Sequence, residues 1–246
     1  MNMKSFTKKP FVLITGAAVR IGRAMVLDLS NKGYIVGIHY WQSQKAAVSL
    51  FDEVISKGGD AFLFQADLTK PDQIQTMFDE ILAKKLNLTV VINSAAIMPE
   101  KHIDVSSVEE WDQIFNLNLR AIWLISKTAR LILKNNNGCI INFSESGVNK
   151  TWLNHPVYLI SKTALNKLSQ ILAKEFAPEV RVNTIALGLV LKSNDMEVED
   201  WQRMVEKTPL GRSVDLEDLL HAVHFCINNC SMTGEIITLD CGYQLI

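Results

Sequence analysis

No apolar run in this chain approaches the roughly 20 residues that cross a bilayer. No charge of one sign dominates either: 25 Lys and Arg stand against 26 Asp and Glu, for a formal net charge of −1. The first absence excludes a membrane-spanning helix. The second excludes a basic footprint for nucleic acid or for an anionic membrane surface. Cysteine is scarce, with four in 246 residues. Cys139 and Cys241 fall in apolar runs where a buried thiol is expected. Cys226 and Cys230 lack the second ligand pair that a zinc site needs, so no metal is expected. Residues 1–10 are polar, and the apolar stretch after them is too short for a signal-peptide core. The expectation is a reduced, cytoplasmic protein. Glycine (12) and proline (6) nowhere cluster with serine into a linker, which argues for one domain over 1–246 with 1–10 as a short extension.

What is present is a regular alternation. Short Val- and Ile-rich runs occur at 11–15, 34–39, 61–65, 89–93, 139–143, 181–186 and 236–239. Longer amphipathic stretches lie between them, near 21–32, 44–57, 72–85, 107–134, 157–177 and 215–228. Pro71 and Asp215 mark helix starts, and Gly33 and Gly58 mark helix stops. Strands apolar on both faces and separated by helices predict an α/β fold. The expected form is a Rossmann-type doubly wound sheet of about seven parallel strands with helices on both faces. The acidic stretch 193–203, with Asp195, Glu197, Glu199 and Asp200, reads either as a lid or as a solvated helix face.

The first strand ends in Thr15-Gly16-Ala17-Ala18-Val19-Arg20-Ile21-Gly22. A strand, a glycine loop and a helix start form a pyrophosphate cradle, because free helix-start amides face the anion. The spacing departs from G-x-G-x-x-G, and Arg20 stands where a glycine is expected. The second strand ends in His39-Tyr40-Trp41-Gln42-Ser43 without the acid that holds a ribose 2′-hydroxyl. That absence permits NADP(H), with Arg20, Gln42 and Ser43 as phosphate partners.

Further motifs follow in order: Asp67-Leu68-Thr69, Asn93-Ser94-Ala95-Ala96, Asn118, and Tyr158 with Lys162 one helical turn on. Together with the glycine loop they resemble the short-chain dehydrogenase/reductase family over residues 11–243. Within it, the chain is most similar to pteridine and dihydromonapterin reductases. Arg20, His39-Tyr40 followed by Ser43, and Glu145 thirteen residues before Tyr158 carry that resemblance. Ordinary members place a serine at the position of Glu145, and pteridine reductases place an aspartate. Met98 stands where pteridine reductases have an aromatic ring, Leu187-Gly188 replaces Pro-Gly, and Cys241 replaces a glycine.

The resemblance implies an NADPH-dependent reductase of a small-molecule pteridine substrate, assembled as a homotetramer. It implies cofactor contacts from Gly16, Arg20, Ile21, Gly22, His39, Tyr40, Gln42, Ser43, Asp67, Leu68, Asn93, Tyr158, Lys162 and Gly188, and substrate contacts from Met98 and Glu145. Tyr158 would donate the proton. Lys162 would favour the phenolate and hold the nicotinamide ribose, and Asn118 would hold a water beside Lys162. Two other readings stand beside it: a carbonyl or 3-oxoacyl reductase using Ser144 or Ser146, and a non-catalytic NADPH-binding scaffold. Apolar residues on more than one face of 107–134, among them Trp111, Ile114, Phe115, Ile122, Trp123 and Ile125, point to helix pairing between subunits.

Overall fold

The computed structural model describes residues 9–193 and 196–246, so most of the N-terminal extension and Asp195 lie outside the described residues. The seven strands are β1 (Phe11–Thr15), β2 (Ile35–Tyr40), β3 (Asp60–Gln65), β4 (Leu88–Asn93), β5 (Cys139–Glu145), β6 (Arg181–Leu187) and β7 (Ile236–Leu239). All pair in parallel in the order β3-β2-β1-β4-β5-β6-β7. The order reverses between β1 and β4, which opens a crevice at the strand C-termini.

Helices cover both faces because each strand is apolar on both. In β1, Val12 and Ile14 join the cluster under α1 (Arg20–Asn31), α2 (Gln44–Ser56) and α8 (Leu216–Asn228). Phe11 and Leu13 join the cluster under α3 (Pro71–Ala83), α5 (Ala121–Leu133) and α6 (Pro156–Phe176). All five β1 side chains are buried, and full burial of an aliphatic or aromatic one contributes about 1.5–3 kcal/mol. Pro71 occupies the first turn of α3, and Asp215 stands at the N-cap position of α8 without a side-chain capping bond. Gly33 and Gly58 follow α1 and α2 at φ +87° and +78°, the left-handed conformation that glycine adopts without a side-chain clash.

Three elements differ from expectation. β5 runs two residues past 143, because Ser144 and Glu145 still pair with Ala186 and Leu187. The expected helix 107–134 is divided into α4 (Val108–Phe115) and α5 by a π turn at Asn116–Arg120, the kind of irregularity that often marks a functional site. A reciprocal capping box of Ser107 and Glu110 fixes the start of α4. The acidic stretch forms α7 (Val198–Glu206), none of whose residues is buried.

Buried polar side chains tie the layers together. Asn93 Nδ2 donates to Asn142 Oδ1 (2.8 Å), Asn142 Nδ2 to Ser169 Oγ (2.9 Å), and Ser169 Oγ to Leu165 O (2.8 Å). His39, 2% exposed, joins three strand ends. Its Nδ1 accepts from Gly16 N at 3.1 Å, and its Nε2 lies 3.0 Å from Ala66 O. The main-chain donor fixes the tautomer: Nδ1 is the acceptor, so Nε2 carries the proton and donates to Ala66. Ala17 N also donates to His39 O (2.9 Å), so two successive amides of the glycine loop rest on this one residue.

The neutral imidazole is required by this pairing, and burial lowers the His39 pKa from 6.5 to about 4. Between those values the unfolded chain binds a proton that the folded chain refuses, so stability falls as pH drops through that window. The loss totals about 3 kcal/mol and is complete near pH 4. Urea denaturation between pH 7 and about pH 4 checks it: the wild type should show this extra slope, and His39→Gln, less stable overall, should lack it.

Candidate active site

A cavity of about 520 Å³ lies at the C-terminal edge of the sheet, over the β1/β4 switch point. Gly16, Arg20, Ile21 and Gly22 form one wall, and the ends of β2, β3 and β4 form the other. The glycine loop fits closely. Gly16 sits at φ +65°, and a Cβ on it would lie 2.9 Å from Ala95 Cα. A Cβ on Gly22 would lie 2.2 Å from Gly16 O. Thr15 Oγ1 accepts from Ser94 N (3.0 Å) and Ala95 N (3.1 Å), locking the loop after β4 against the loop after β1.

Arg20 explains the missing glycine. Its φ is +52°, so the backbone keeps a glycine-like conformation, which costs an L-residue roughly 1–2 kcal/mol. Its guanidinium donates to Leu191 O (2.8 Å) and Lys192 O (2.9 Å) beyond β6. The head group is held by two carbonyls that match its planar fork, and Arg20 also lines the cavity together with Gln42.

Two other expected cofactor contacts have buried side chains. Tyr40 is 7% exposed and packs in the core beneath α1 and α2. Asn93 is a buried strut between β4 and β5. His39 braces the glycine loop and lines the cavity. Asp67, Leu68 and Gln42 do line the cavity. Asp67 Oδ1 accepts from Thr69 N (2.9 Å) and Thr69 Oγ1 (2.7 Å), which shapes the turn after β3. Ser43 caps α2 positionally, but its side chain makes no capping bond and the first turn holds no acid. Gly188 is demanded by packing, since a Cβ there would lie 2.6 Å from Asp240 Cβ. Sequence reading missed the lining residues Trp41, Ile97, Gln113 and Leu117. The last two lie one helical turn apart, a spacing that places them on one face.

Glu145, Tyr158 and Lys162 come together at the end of β5 and the start of α6. Glu145 Oε1 accepts from Gly147 N (3.1 Å), and Tyr158 Oη donates to Glu145 Oε2 over a long 3.4 Å. Lys162 Nζ donates to Phe143 O (2.8 Å) and lies 5.7 Å from the Tyr158 ring centroid. Burial pushes Glu145 up to about 7, against the Gly147 amide, the Lys162 charge and the Tyr158 hydroxyl. Burial brings Lys162 down to about 8, opposed by Glu145. Tyr158 rises well above its usual range through burial and then the Glu145 charge. The low-dielectric surroundings and the neighbouring carboxylate thus favour the phenol form of Tyr158, against the phenolate that a Lys162 charge favours.

Asn118 lies in the π turn with no exposed surface. Its Oδ1 accepts from Ile97 N (3.0 Å), and its Nδ2 donates to Ile97 O (2.9 Å) and Ser161 Oγ (3.3 Å). The side chain clamps the loop after β4, where the sequence placed a water beside Lys162. Met98 is 48% exposed on that same loop. Its neighbour Pro99 accepts from His155 Nδ1 at 2.9 Å, just before α6. Ser144 Oγ donates weakly to Lys162 O (3.4 Å), while Ser146 Oγ is buried with no protein partner among the described residues.

The comparisons with known proteins agree with this architecture. A family profile described as Enoyl-(acyl carrier protein) reductase matches residues 16–244. A 3-oxoacyl-[acyl-carrier-protein] reductase FabG of Staphylococcus epidermidis is 27% identical over 239 residues, 95% of this chain and 98% of that protein. The crystal structure of a FolM alternative dihydrofolate reductase 1 from Brucella canis, complexed with NADP, superposes with a TM-score of 0.91 at 31% identity, covering 97% of this chain and 94% of the other. Its counterpart from Brucella suis, also with NADP, gives 0.89 at 31% identity, covering 98% and 96%. With the profile matched from the glycine loop to the last turn, this chain is an oxidoreductase belonging to the short-chain dehydrogenase/reductase family.

Proposed function

We propose that the protein is an NADPH-dependent reductase of a pteridine such as a dihydropterin or dihydrofolate. The observation that carries it is Glu145: a half-buried carboxyl, hydrogen-bonded to Tyr158, at the position where ordinary family members have a serine. The likeness to the two FolM reductases supports the same reading. The cradle fits the cofactor, because Gly16 and Gly22 leave room where a Cβ would collide with backbone, and no acid at the β2 end opposes a 2′-phosphate. Bound there, NADPH supplies the hydride.

The protein's own groups supply the proton. Reduction of a C=N bond places hydride on carbon and requires a proton on nitrogen. Tyr158, held as a phenol, donates through Oη. Glu145 is the stronger acid of the pair and returns the proton to the tyrosinate. Lys162 holds positive charge beside both and is anchored on Phe143 O. Once ionised, Glu145 accepts hydrogen bonds from the amino and ring N–H groups that a pterin presents. The alternative is reduction of a 3-oxoacyl thioester, favoured by the FabG relatives and by the unpaired, buried Ser146 hydroxyl.

The two readings separate by substitution. Glu145→Gln removes a charge-assisted hydrogen bond, about 1.5–3 kcal/mol, and should lower pterin kcat/KM roughly ten- to a hundredfold. Tyr158→Phe should be worse. Because the acid form of Glu145 feeds Tyr158, wild-type activity should fall as pH rises through about 7, and Glu145→Gln should lose that limb. NADPH oxidation with dihydropterins and with a 3-oxoacyl thioester measures all of this. Pterin turnover indifferent to Glu145→Gln, with the loss falling on Ser146→Ala, would favour the thioester.

Assembly as a cytoplasmic homotetramer belongs to the same proposal. Ile114, Ile122 and Ile125 are buried within the subunit, which removes them from the expected pairing face. Trp111, Trp123 and Leu131 with Ile160 and Ile171 of α6 remain exposed and form the candidate contact. Edge strand β7 beside the exposed Phe225 of α8 offers the second contact that a tetramer needs. Sedimentation at micromolar concentration should give four chains, and Trp123→Glu with Ile160→Glu should give smaller species.

A further inference from the structure

Trp41 has no role in the machinery described so far, yet its indole is 45% exposed and lines the cavity. Apart from the buried His39, it is the only aromatic ring among the cavity's described lining residues. Its main chain is fixed. Gln65 Nε2 donates to Trp41 O at 3.1 Å, and Ala66 N donates to Tyr40 O at 3.1 Å. The opposite lip, after β3, is equally fixed: Asp67 N donates to Gln73 Oε1 (2.6 Å) and Asp67 Oδ1 takes both donors of Thr69. Two rigid lips thus bound the β2/β3 end of the cleft, one bearing a flat π face and the other a carboxylate.

We propose that Trp41 is the stacking platform for the adenine ring of the cofactor, a role that rests on the NADPH reading above. Two residues beyond Trp41, the Ser43 hydroxyl is uncapped at the start of a helix with no acid in its first turn, a setting suited to a 2′-phosphate. That phosphate and the adenine share one ribose, so a phosphate at Ser43 brings the base to the neighbouring lip. There the indole covers a ring face and Asp67 Oδ2 accepts from the exocyclic amine. Stacking needs only a π face, which explains why an apolar ring is kept exposed at a rigid turn. It also gives this end of the cleft a base contact that does not depend on Arg20, whose guanidinium is held by Leu191 and Lys192.

The test uses 2′,5′-ADP, which carries the adenine and the 2′-phosphate without a nicotinamide, and reduced nicotinamide mononucleotide, which carries no adenine. Calorimetric titration should show Trp41→Ala weakening 2′,5′-ADP and NADPH about tenfold. Trp41→Phe should keep most of the affinity, and the mononucleotide should bind all three proteins alike. Tryptophan emission of the wild type should be quenched by 2′,5′-ADP, and that quench should vanish in Trp41→Phe, a readout available even if Trp41→Ala folds poorly. Wild-type affinity for 2′,5′-ADP in Trp41→Ala, or an undiminished quench in Trp41→Phe, overturns the platform while leaving the cofactor reading intact. A wild type that binds neither NADPH nor 2′,5′-ADP overturns the cofactor reading and the platform with it.

Discussion

A polar group withdrawn from water must find a partner, and at the C-terminal edge of this sheet the partner is repeatedly the main chain of a loop. Thr15 takes two amides from the loop after β4, Asn118 takes both main-chain groups of Ile97, and His39 joins Gly16 to Ala66. Lys162 rests on Phe143 O. Loops joined in this way do not have to be ordered by a ligand. Each bond contributes only about 0.5–1.5 kcal/mol net, but leaving its buried donor or acceptor unpaired costs about 1–3 kcal/mol. The cleft is therefore held mainly by the penalty for opening it, and its shape persists without an occupant.

Glu145 is held less completely. One oxygen has the Gly147 amide, while the other has only the long contact from Tyr158. A fully charged carboxylate and ammonium are both disfavoured by burial, and both shift toward neutrality, Glu145 to about 7 and Lys162 to about 8. A titratable proton beside Tyr158 is what this site offers. A serine at position 145 would hydrogen-bond but would not titrate in this range.

The strands were legible because burial on both faces writes an unbroken apolar run, and the helix stops because glycine marks a left-handed turn. The same alternation carried more than was read from it. Val36, Ile38 and Tyr40 fall in one core cluster, so the period of two already directed Tyr40 inward. The order Tyr158, Lys162 and Glu145 was legible as a constellation, but not its electrostatics, because the direction of the tyrosine shift depends on how deeply the carboxylate is buried. The π turn at Asn116–Arg120 leaves no local signature, since it accompanies a contact between Asn118 and Ile97, 21 residues away in sequence.

Two departures from glycine reveal what the fold requires and what it leaves open. Arg20 and Cys241 both keep positive φ, +52° and +53°, so the backbone at each site retains the conformation that glycine adopts without strain. At Arg20 the strain is offset by hydrogen bonds from the side chain to carbonyls 171 and 172 residues away. A glycine there would relax the backbone but leave the phosphate-loop wall and the segment beyond β6 untied. Arginine thus performs the turn and also ties the glycine loop to the segment beyond β6. No single segment of sequence contains that link, because its acceptors are main-chain carbonyls and carry no residue identity.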